Sequence, residues 1–376
     1  MNFTTDSLKD AGLDLAAGAA NELSHLLYNQ RARAALKQVE DQQGPTDSAL
    51  LDRCNEYAQD VLGSRRFAPW LHLYAAVSGD FREGWIPDNY YHRVVHRMKS
   101  PVAAKVSNLK TFTNTILDTG ALPDLAYAID GVYFSRDLAP IPPLELAAIL
   151  FGAHDRVYFK PDDSRQGRNV RVLTKEDFEA GARSRFSDGV FQAPIRQHDF
   201  FEALSPRATA TVRITTAREP DGSIGVKAAY LRVGRESDEI VRSAAAIKVP
   251  LDRNTGALAS IGYLPGWRRI DTHPDTGFRF SGSSVPHFDD AAILCRSLHE
   301  RCPHMPCVGW DVCSEQDGQV KLMEWNADHN DIKFSEATTG PCFRGLQWET
   351  LWRRPAAARS DPAPQTTGPQ RPGDPG

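Results

Sequence analysis

Three side chains with oxygen ligands stand around a short turn in the last quarter of the sequence. Asp311 precedes the turn at Asp317 and Gly318, and Glu324 and Asn326 follow it. An Asp-Gly pair is typical of a two-residue hairpin turn and predicts two antiparallel strands. Pairing counted outward from this turn places Asp311 directly opposite Glu324, and Asn326 shares the face of Glu324.

Two carboxylates that face each other repel, so this arrangement indicates a cation between them. Asp, Glu and Asn supply hard oxygen ligands, which suit Mg²⁺ better than zinc. The alternative is a solvent-exposed hairpin whose acids have no common role. The same pairing puts Val320 and Leu322 on the face of Glu324, which argues against simple exposure. From the residues alone both interpretations stay open.

A second candidate is the loop that follows Lys160. This lysine ends the apolar strand predicted at Arg156–Lys160, where a lone cation needs an anionic partner. The loop then offers backbone N–H groups together with Ser164, Arg165 and Arg168. Such a loop can fold around phosphates as a nest of donors. It matches neither the Walker A pattern nor G-x-G-x-x-G, and an ordinary charged hairpin loop is the alternative.

The elements that position these residues are predicted from periodicity and turn signals. The first hundred residues favour helices, including one over Leu13–Val39 and one around Asn89–Lys99. Further on, short strands alternate with helices in an irregular order, which predicts an α+β fold. The predicted strands are Arg156–Lys160, Val170–Leu173, Thr209–Ala217, Ile224–Val233, Cys307–Cys313 and Val320–Trp325, and the predicted helices are Lys175–Arg185 and Phe288–Cys302.

Composition excludes several classes of protein. With 44 Lys+Arg, 48 Asp+Glu and a net charge of −4, a nucleic-acid binder is not expected. No apolar run is long enough for a membrane span. Acidic residues stand at the N-terminus where a secretory signal needs basic ones. The 6 cysteines form no C-x-x-C pair, so we expect reduced thiols in a cytoplasmic protein.

In this order the segments resemble the ATP-grasp superfamily and, more narrowly, the sugar-transfer-associated ATP-grasp family, relatives of α-L-glutamate ligases. Lys160-Pro161 is similar to the family's phosphate loop, and Thr211-Val212-Arg213 to its "TlR" strand. Gly309-Trp310-Asp311 followed by Glu324-Trp325-Asn326 resembles its metal-binding hairpin. The resemblance extends over about Phe81–Gly345.

The resemblance implies an α+β ATP-grasp fold in which two subdomains grip ATP, preceded by a helical N-terminal region. It places that region at 1–104, the linker and lid subdomain at 105–205 and the core with the metal hairpin at 206–354. The remaining residues, 355–376, contain six Pro and three Gly and are expected to be disordered.

The resemblance also implies roles for individual residues. Lys110 and Lys160 would contact the phosphates of ATP, and the loop around Gly167 would close over them. Gln192 would belong to the adenine hinge, and His198 or Asp199 would meet the ribose. Arg213 and Lys160 would be catalytic. The implied nucleotide-binding set is Lys110, Lys160, Ser164, Gly167, Arg168, Gln192, His198 and Asp199, and the implied Mg²⁺ ligands are Asp311, Glu324 and Asn326.

The implied activity is an ATP- and Mg²⁺-dependent ligase that joins a small-molecule carboxylate to an amine. It would work through an acyl phosphate and release ADP and phosphate. One alternative is a phosphotransferase on the same fold. A catalytically impaired nucleotide-binding scaffold is the other, because the phosphate loop is poor in glycine and Ala193 stands where the family has glutamate.

Overall fold

A computed structural model describes residues 5–99, 102–162, 164, 169–180, 186–242, 245–328 and 330–353, with the backbone alone for 5–22 and 24. The helices are α1 (Thr5–Gln43), α2 (Ser48–Asp60), α3 (Ala68–Ser78), α4 (Asp88–Tyr90), α5 (His96–Lys99), α6 (Lys110–Leu117), α7 (Pro143–Phe151), α8 (Lys175–Ala180), α9 (Asp199–Glu202), α10 (Phe288–Arg301) and α11 (Lys333–Thr338). The strands are β1 (Asp124–Ile129), β2 (Val132–Ser135), β3 (Pro140–Ile141), β4 (Arg156–Pro161), β5 (Arg171–Thr174), β6 (Gly189–Gln192), β7 (Thr211–Arg218), β8 (Ile224–Val233), β9 (Ile247–Leu251), β10 (Gly262–Tyr263), β11 (Arg269–Ile270), β12 (Cys307–Ser314) and β13 (Val320–Asn326).

The strands form two antiparallel sheets. The smaller sheet has the order β3-β2-β1-β6-β4-β5, and the larger has the order β11-β10-β9-β8-β7-β12-β13. Each sheet buries one face in its own apolar core: α7 and α8 cover the smaller sheet through Leu146, Leu150 and Phe178, and α10 covers the larger through Cys295 and Leu298. Part of the larger sheet, including Ala217 and Ala228, also packs against the N-terminal helices, and the space between the two sheets is left to form a site.

The N-terminal helices build a third core. In α2, Cys54, Tyr57 and Ala58 are buried because their spacing puts them on one helix face. Asp47 caps this helix by accepting from the backbone N–H of Ala49 at 2.9 Å. The same core includes Phe334 of α11. The helical region is therefore packed against the segment that follows the larger sheet's last strand.

Most of the predicted elements are confirmed, with small shifts at their ends. β8 has the predicted bounds, and α10 ends one residue earlier than expected. The first helix is longer than predicted, running over Thr5–Gln43. For the helix expected at Lys175–Arg185, residues 181–185 lie outside the described residues. The central strands β1 and β6 were not predicted, because neither shows a clear alternation of apolar and polar residues.

The hairpin of β12 and β13 corrects the predicted turn. The backbone N–H of Glu315 donates to Gln319 O at 2.8 Å, so three residues, not two, form the loop. The register then shifts between Asp311 and Val312, because Met323 is an extra residue on β13. The bulge restores the pairing of Asp311 with Glu324, as predicted. It also sends Leu322 into the core, so the prediction that Leu322 shares the face of Glu324 is wrong.

Two further expectations can be compared with the structure. All six cysteines, for which reduced thiols are expected, are buried and form no disulfide in the structure. Across the stretches of chain that the structure describes, no helix is long and apolar enough to cross a membrane.

Candidate active site

A cavity of about 200 Å³ lies between the two sheets, and we call it the cleft. It receives side chains from both sheets, from the start of α6 and from the loops after β4, β8 and β13. Its lining includes Lys110, Lys160, Ser164, Gln192, Thr211, Arg213, Tyr230, Arg232, Lys248, Asp311, Met323, Glu324, Asn326 and Asp331.

Cross-strand pairing sets four of these side chains in one row across the larger sheet. Glu324 on β13 lies opposite Asp311 on β12. On the other side of Asp311 comes Arg213 on β7, and Tyr230 on β8 follows. Directly opposed residues have Cβ atoms about 5 Å apart, so the row brings two carboxylates, a guanidinium and a phenol to contact distance in that order.

Asp311 is held by two arginines. Its Oδ1 accepts from Arg213 Nε at 2.6 Å, and its Oδ2 accepts from Arg213 Nη2 at 2.9 Å. Arg232 Nη2 lies 2.6 Å from the same Oδ2. Burial acts to raise the pKa of Asp311, but the charges of Arg213 and Arg232 outweigh burial and hold that pKa below its usual value.

The donor set for a metal ion fits Mg²⁺ at two of the three predicted residues. Glu324 accepts no hydrogen bond from the described residues, and its carboxylate lines the cleft. Asn326 Nδ2 donates to Gly309 O at 3.4 Å, which leaves the amide oxygen for a ligand. Both oxygens of Asp311, by contrast, are engaged by arginine, so metal binding by Asp311 stays a prediction. The described residues contain no group of three or more His, Cys, Asp or Glu that could hold a metal.

The smaller sheet and α6 bring two lysines to the opposite wall. Lys110 Nζ donates to Ser164 O at 2.9 Å. Burial lowers the pKa of Lys160, and the charge of Glu324 across the cleft opposes that change. Asp162 joins this wall to α6 by accepting from Thr111 Oγ1 at 2.7 Å. Lys110 and Lys160 thus face Glu324 and Asp311 across the cleft. A pair of cations in this position suits the binding of a polyphosphate.

Gln192 presents a fixed acceptor at another part of the cleft. Its Nε2 donates to Asp124 Oδ1 at 2.7 Å, and Tyr127 donates to the other oxygen of Asp124 at 2.8 Å. The amide orientation is therefore set, and Gln192 Oε1 is buried without a partner among the described residues. An acceptor in this position suits an exocyclic amine such as that of adenine.

His198 and Asp199 are not among the residues that line the cleft. His198 caps α9 through its Nδ1, which accepts from Phe200 N at 3.1 Å. Asp199 accepts from Gln316 Nε2 at 3.2 Å, at the tip of the β12–β13 hairpin. Their contact with ribose stays a prediction. Gly167 and Arg168 lie outside the described residues.

The cleft residues that were missed from the sequence include Tyr230, Arg232, Lys248 and Asp331. The available signal was a pair of cations, Arg232 and Lys248, inside strands that are mostly apolar. The pairing of β7 with β8 shifts at Thr215 and Thr216, opposite Lys227. Without knowledge of that bulge, alternation assigns Arg232 to the wrong face.

Gly309 lies on β12, two residues before Asp311. It allows a test of how tightly the side chains around Arg213 are packed. An added Cβ would meet Asn330 Oδ1 and would lie 3.1 Å from Arg213 Nη1. We expect Gly309→Ala to displace Arg213 and to lower the free energy of unfolding by about 1–3 kcal/mol. Urea unfolding measures the change, with Gly120→Ala as the control because no atom lies within 4 Å of a Cβ there. Equal stability of the two variants would contradict the expected crowding.

The sequence matches a known family of proteins over part of its length. Residues 150–347 match the family model described as sugar-transfer associated ATP-grasp, which is more than half of the chain. No curated protein matches the sequence.

Several solved structures are similar to the chain at low identity. The biotin carboxylase domain of Hydrogenobacter thermophilus 2-oxoglutarate carboxylase has 10% identity and a TM-score of 0.38, and the match covers 65% of this chain and 45% of that one. The ATP-grasp ligase PsnB with its minimal precursor has 16% identity and a TM-score of 0.38, with 68% and 62% covered. N5-carboxyaminoimidazole ribonucleotide synthetase from Thermotoga maritima has 12% identity and a TM-score of 0.38, with 69% and 54% covered. The chain thus spans less than two thirds of the length of each.

Proposed function

Because this chain belongs to the sugar-transfer associated ATP-grasp family, we propose that it is an ATP-dependent ligase that joins a carboxylate to an amine. As a member of that family it has the α+β ATP-grasp fold, here with a helical N-terminal region. The observation that carries the proposal is the arrangement of the cleft. The row Glu324, Asp311, Arg213 stands on one wall, and Lys110 and Lys160 stand on the other.

The nucleotide is held by residues of the smaller sheet and α6. Gln192 Oε1 accepts from the amino group of adenine, and Lys110 and Lys160 bind the phosphates. Both lysines are partly buried, and a partly buried cation binds a phosphate more strongly than an exposed one, since less solvent screens the charge. These contacts hold the γ-phosphoryl group against the opposite wall, where Arg213 lies.

The reaction then needs two transfers. A carboxylate oxygen of the acid attacks the γ-phosphorus, and the bond from that phosphorus to the β-phosphate oxygen breaks, which releases ADP. The amine next attacks the carbonyl carbon of the acyl phosphate, loses a proton, and expels inorganic phosphate. Arg213 stabilises the charge on the transferred phosphoryl group, and Asp311 keeps the guanidinium in place.

A magnesium ion, when bound, would supply positive charge that offsets the charge of the phosphates. Glu324 and Asn326 are the residues that would hold it, since their oxygens face the cleft. Asp311 would bind the ion only through an oxygen atom that also accepts a hydrogen bond from an arginine.

The first test is calorimetry of ATP binding with and without Mg²⁺, on wild type and on Glu324→Ala. We expect binding that depends on Mg²⁺ in the wild type and weakens about 10-fold or more in the variant. Glu145→Ala, at an exposed position of α7, is the matched control and should bind as the wild type does.

The second test is trapping with hydroxylamine, which converts an acyl phosphate into a hydroxamate. A ligase forms hydroxamate and ADP when given ATP and its acid. Formation of AMP and pyrophosphate would overturn the proposed mechanism. A stable phosphate ester would indicate a phosphotransferase, and binding of ATP without turnover would indicate a catalytically impaired nucleotide-binding scaffold.

A further inference from the structure

Lys248 is a cleft residue that the mechanism above does not use. It lies on β9, and its side chain is 18% exposed. Its ammonium lies over the rings of Tyr230 and Phe334, at 5.8 and 5.5 Å from their centroids. The carboxylate that pairs with it, Asp331, is 4.0 Å away, which is too far for a hydrogen bond.

Asp331 is engaged more closely by another lysine. Lys333 Nζ lies 2.6 Å from Asp331 Oδ1, so Lys248 receives only part of the charge of that carboxylate. Burial lowers the pKa of Lys248 to about 8, and Asp331 opposes the change only in part. A lysine ammonium has three donors, and within the described ranges none of those of Lys248 meets an acceptor at hydrogen-bond distance. Its donors are therefore available to a ligand in the cleft.

The charges around Lys248 favour an anion. Arg213, Arg232 and Lys248 line this end of the cleft together with Asp311, which is buried, and Asp331, whose side chain is 32% exposed. The other carboxylates in the lining are Glu324, whose charge acts on Lys160 across the cleft, and Glu239, which is 69% exposed and pairs with Arg207. With Lys110 and Lys160 included, five cations and four carboxylates of the described residues line the cleft, so positive charge is in excess.

Strand pairing sets the distance between Lys248 and Arg213. Arg232 on β8 lies directly opposite Lys248 on β9, and Thr211 on β7 lies opposite Arg232. Arg213 follows two residues after Thr211 on β7. Since neighbouring strands are about 4.8 Å apart, Lys248 stands roughly 10 Å across the sheet from the strand of Arg213. The side chains of Ile240 and Val241 line the same cavity and offer apolar contact.

We propose that the acid substrate carries a second anionic group, which Lys248 binds while the reacting carboxylate lies at Arg213 and Arg232. The substrate class is then a dicarboxylate, or an acid with another anionic group, with an aliphatic stretch between its two ends. This inference rests on the proposed function for the role of the reacting carboxylate. The binding of the second group can be measured without any reaction.

The experiment uses straight-chain dicarboxylates from succinate to pimelate and the monocarboxylates of the same chain lengths. Calorimetry with Mg²⁺ and a non-hydrolysable ATP analogue measures binding of each acid to wild type and to Lys248→Gln. We expect at least one dicarboxylate to bind better than its monocarboxylate, and Lys248→Gln to weaken that binding about 10–100-fold. Binding of monocarboxylates should not change.

Two further variants serve as controls. Lys248→Arg keeps the charge and should retain most of the preference for the dicarboxylate. Lys175→Gln removes an exposed lysine of α8 and should bind every acid as the wild type does. Melting temperatures show whether each variant is folded.

The outcomes separate this inference from the proposed function. Dicarboxylate binding that needs Lys248, without hydroxamate formation, supports the anionic subsite and overturns the ligase. Hydroxamate from monocarboxylates, with no preference for dicarboxylates, supports the ligase and overturns the subsite. If Lys248→Gln weakens binding of the ATP analogue instead, the lysine belongs to the nucleotide site and the inference is wrong.

Discussion

Replacement of Asp311 by alanine is expected to lower the free energy of unfolding by about 3–5 kcal/mol and to abolish activity. The reason is that Arg213 and Arg232 both depend on this carboxylate, which is 2% exposed. Without it, two guanidinium groups remain in the protein close to each other with no common counter-charge. Urea unfolding measures the loss of stability, and hydroxamate formation measures the loss of activity.

Glu324 is the matched comparison, because it stands opposite Asp311 in the same row. Its carboxylate faces the cleft and has no cationic partner at salt-bridge distance in the described part of the chain. We expect Glu324→Ala to remove activity while the free energy of unfolding changes by no more than about 0.5 kcal/mol. If both variants lose stability equally, Asp311 is not the anchor of the two arginines.

Replacement of Glu336 is expected to cause the second large loss of stability. This residue lies at the contact between the helical region and the core. It is fully buried in α11, and its oxygens accept from the backbone N–H groups of Ile86 at 2.9 Å and Cys342 at 2.7 Å. Glu336→Ala leaves both groups without an acceptor. Each such group costs about 1–3 kcal/mol, so we expect a loss of roughly 2–6 kcal/mol in urea unfolding. Glu300→Ala, at an exposed position of α10, should change little.

The same glutamate gives a dependence on pH. Burial raises the pKa of Glu336 from 4.5 to about 7, against the opposing effect of its two backbone hydrogen bonds. Between these values the folded protein holds a proton that the unfolded chain has released. The contribution of this group to stability is therefore full below the unfolded pKa and is lost as pH rises through about 7.

Glu336→Gln tests this effect, since glutamine does not titrate. The free energy of unfolding of the wild type, measured relative to this variant, should decrease between about pH 5 and about pH 8. A difference that stays constant over this range would show that Glu336 does not change its protonation there.

The face of the larger sheet that lines the cleft could be predicted from the sequence only in part. Asp311 and Glu324 do face each other, as predicted. The loop has three residues instead of the predicted two, and Met323 forms a bulge that was not predicted. These two differences shift the register in opposite directions, so the predicted pairing is still correct. An Asp-Gly pair is compatible with loops of two or three residues, and the bulge at Met323 leaves no mark in the residue types. Since a shift by one residue moves every side chain to the other face, such a bulge decides which residues meet a ligand.

The β7–β8 hairpin contains a bulge at Lys227, and the residue types give no signal for it. Tyr230 and Arg232 were missed, although Arg213 on the partner strand was identified. Lys248 and Asp331 were missed for a different reason, because their meeting depends on contacts between segments far apart in the chain. Residue types and local spacing contain no information on such distances.

Residues on and before β1 contribute to the cleft although they lie outside the segment that matches the family model. β1 lies between β2 and β6 in the smaller sheet, and both Lys110 and Asp124 precede residue 150, where the family match begins. The segment recognisable as a family member is thus smaller than the unit that folds and carries the cleft. A gene fusion or exchange that moved only residues 150–347 would separate Gln192 from Asp124 and Glu336 from Ile86. The helical region and the segment that matches the family model are therefore expected to be inherited together as one unit.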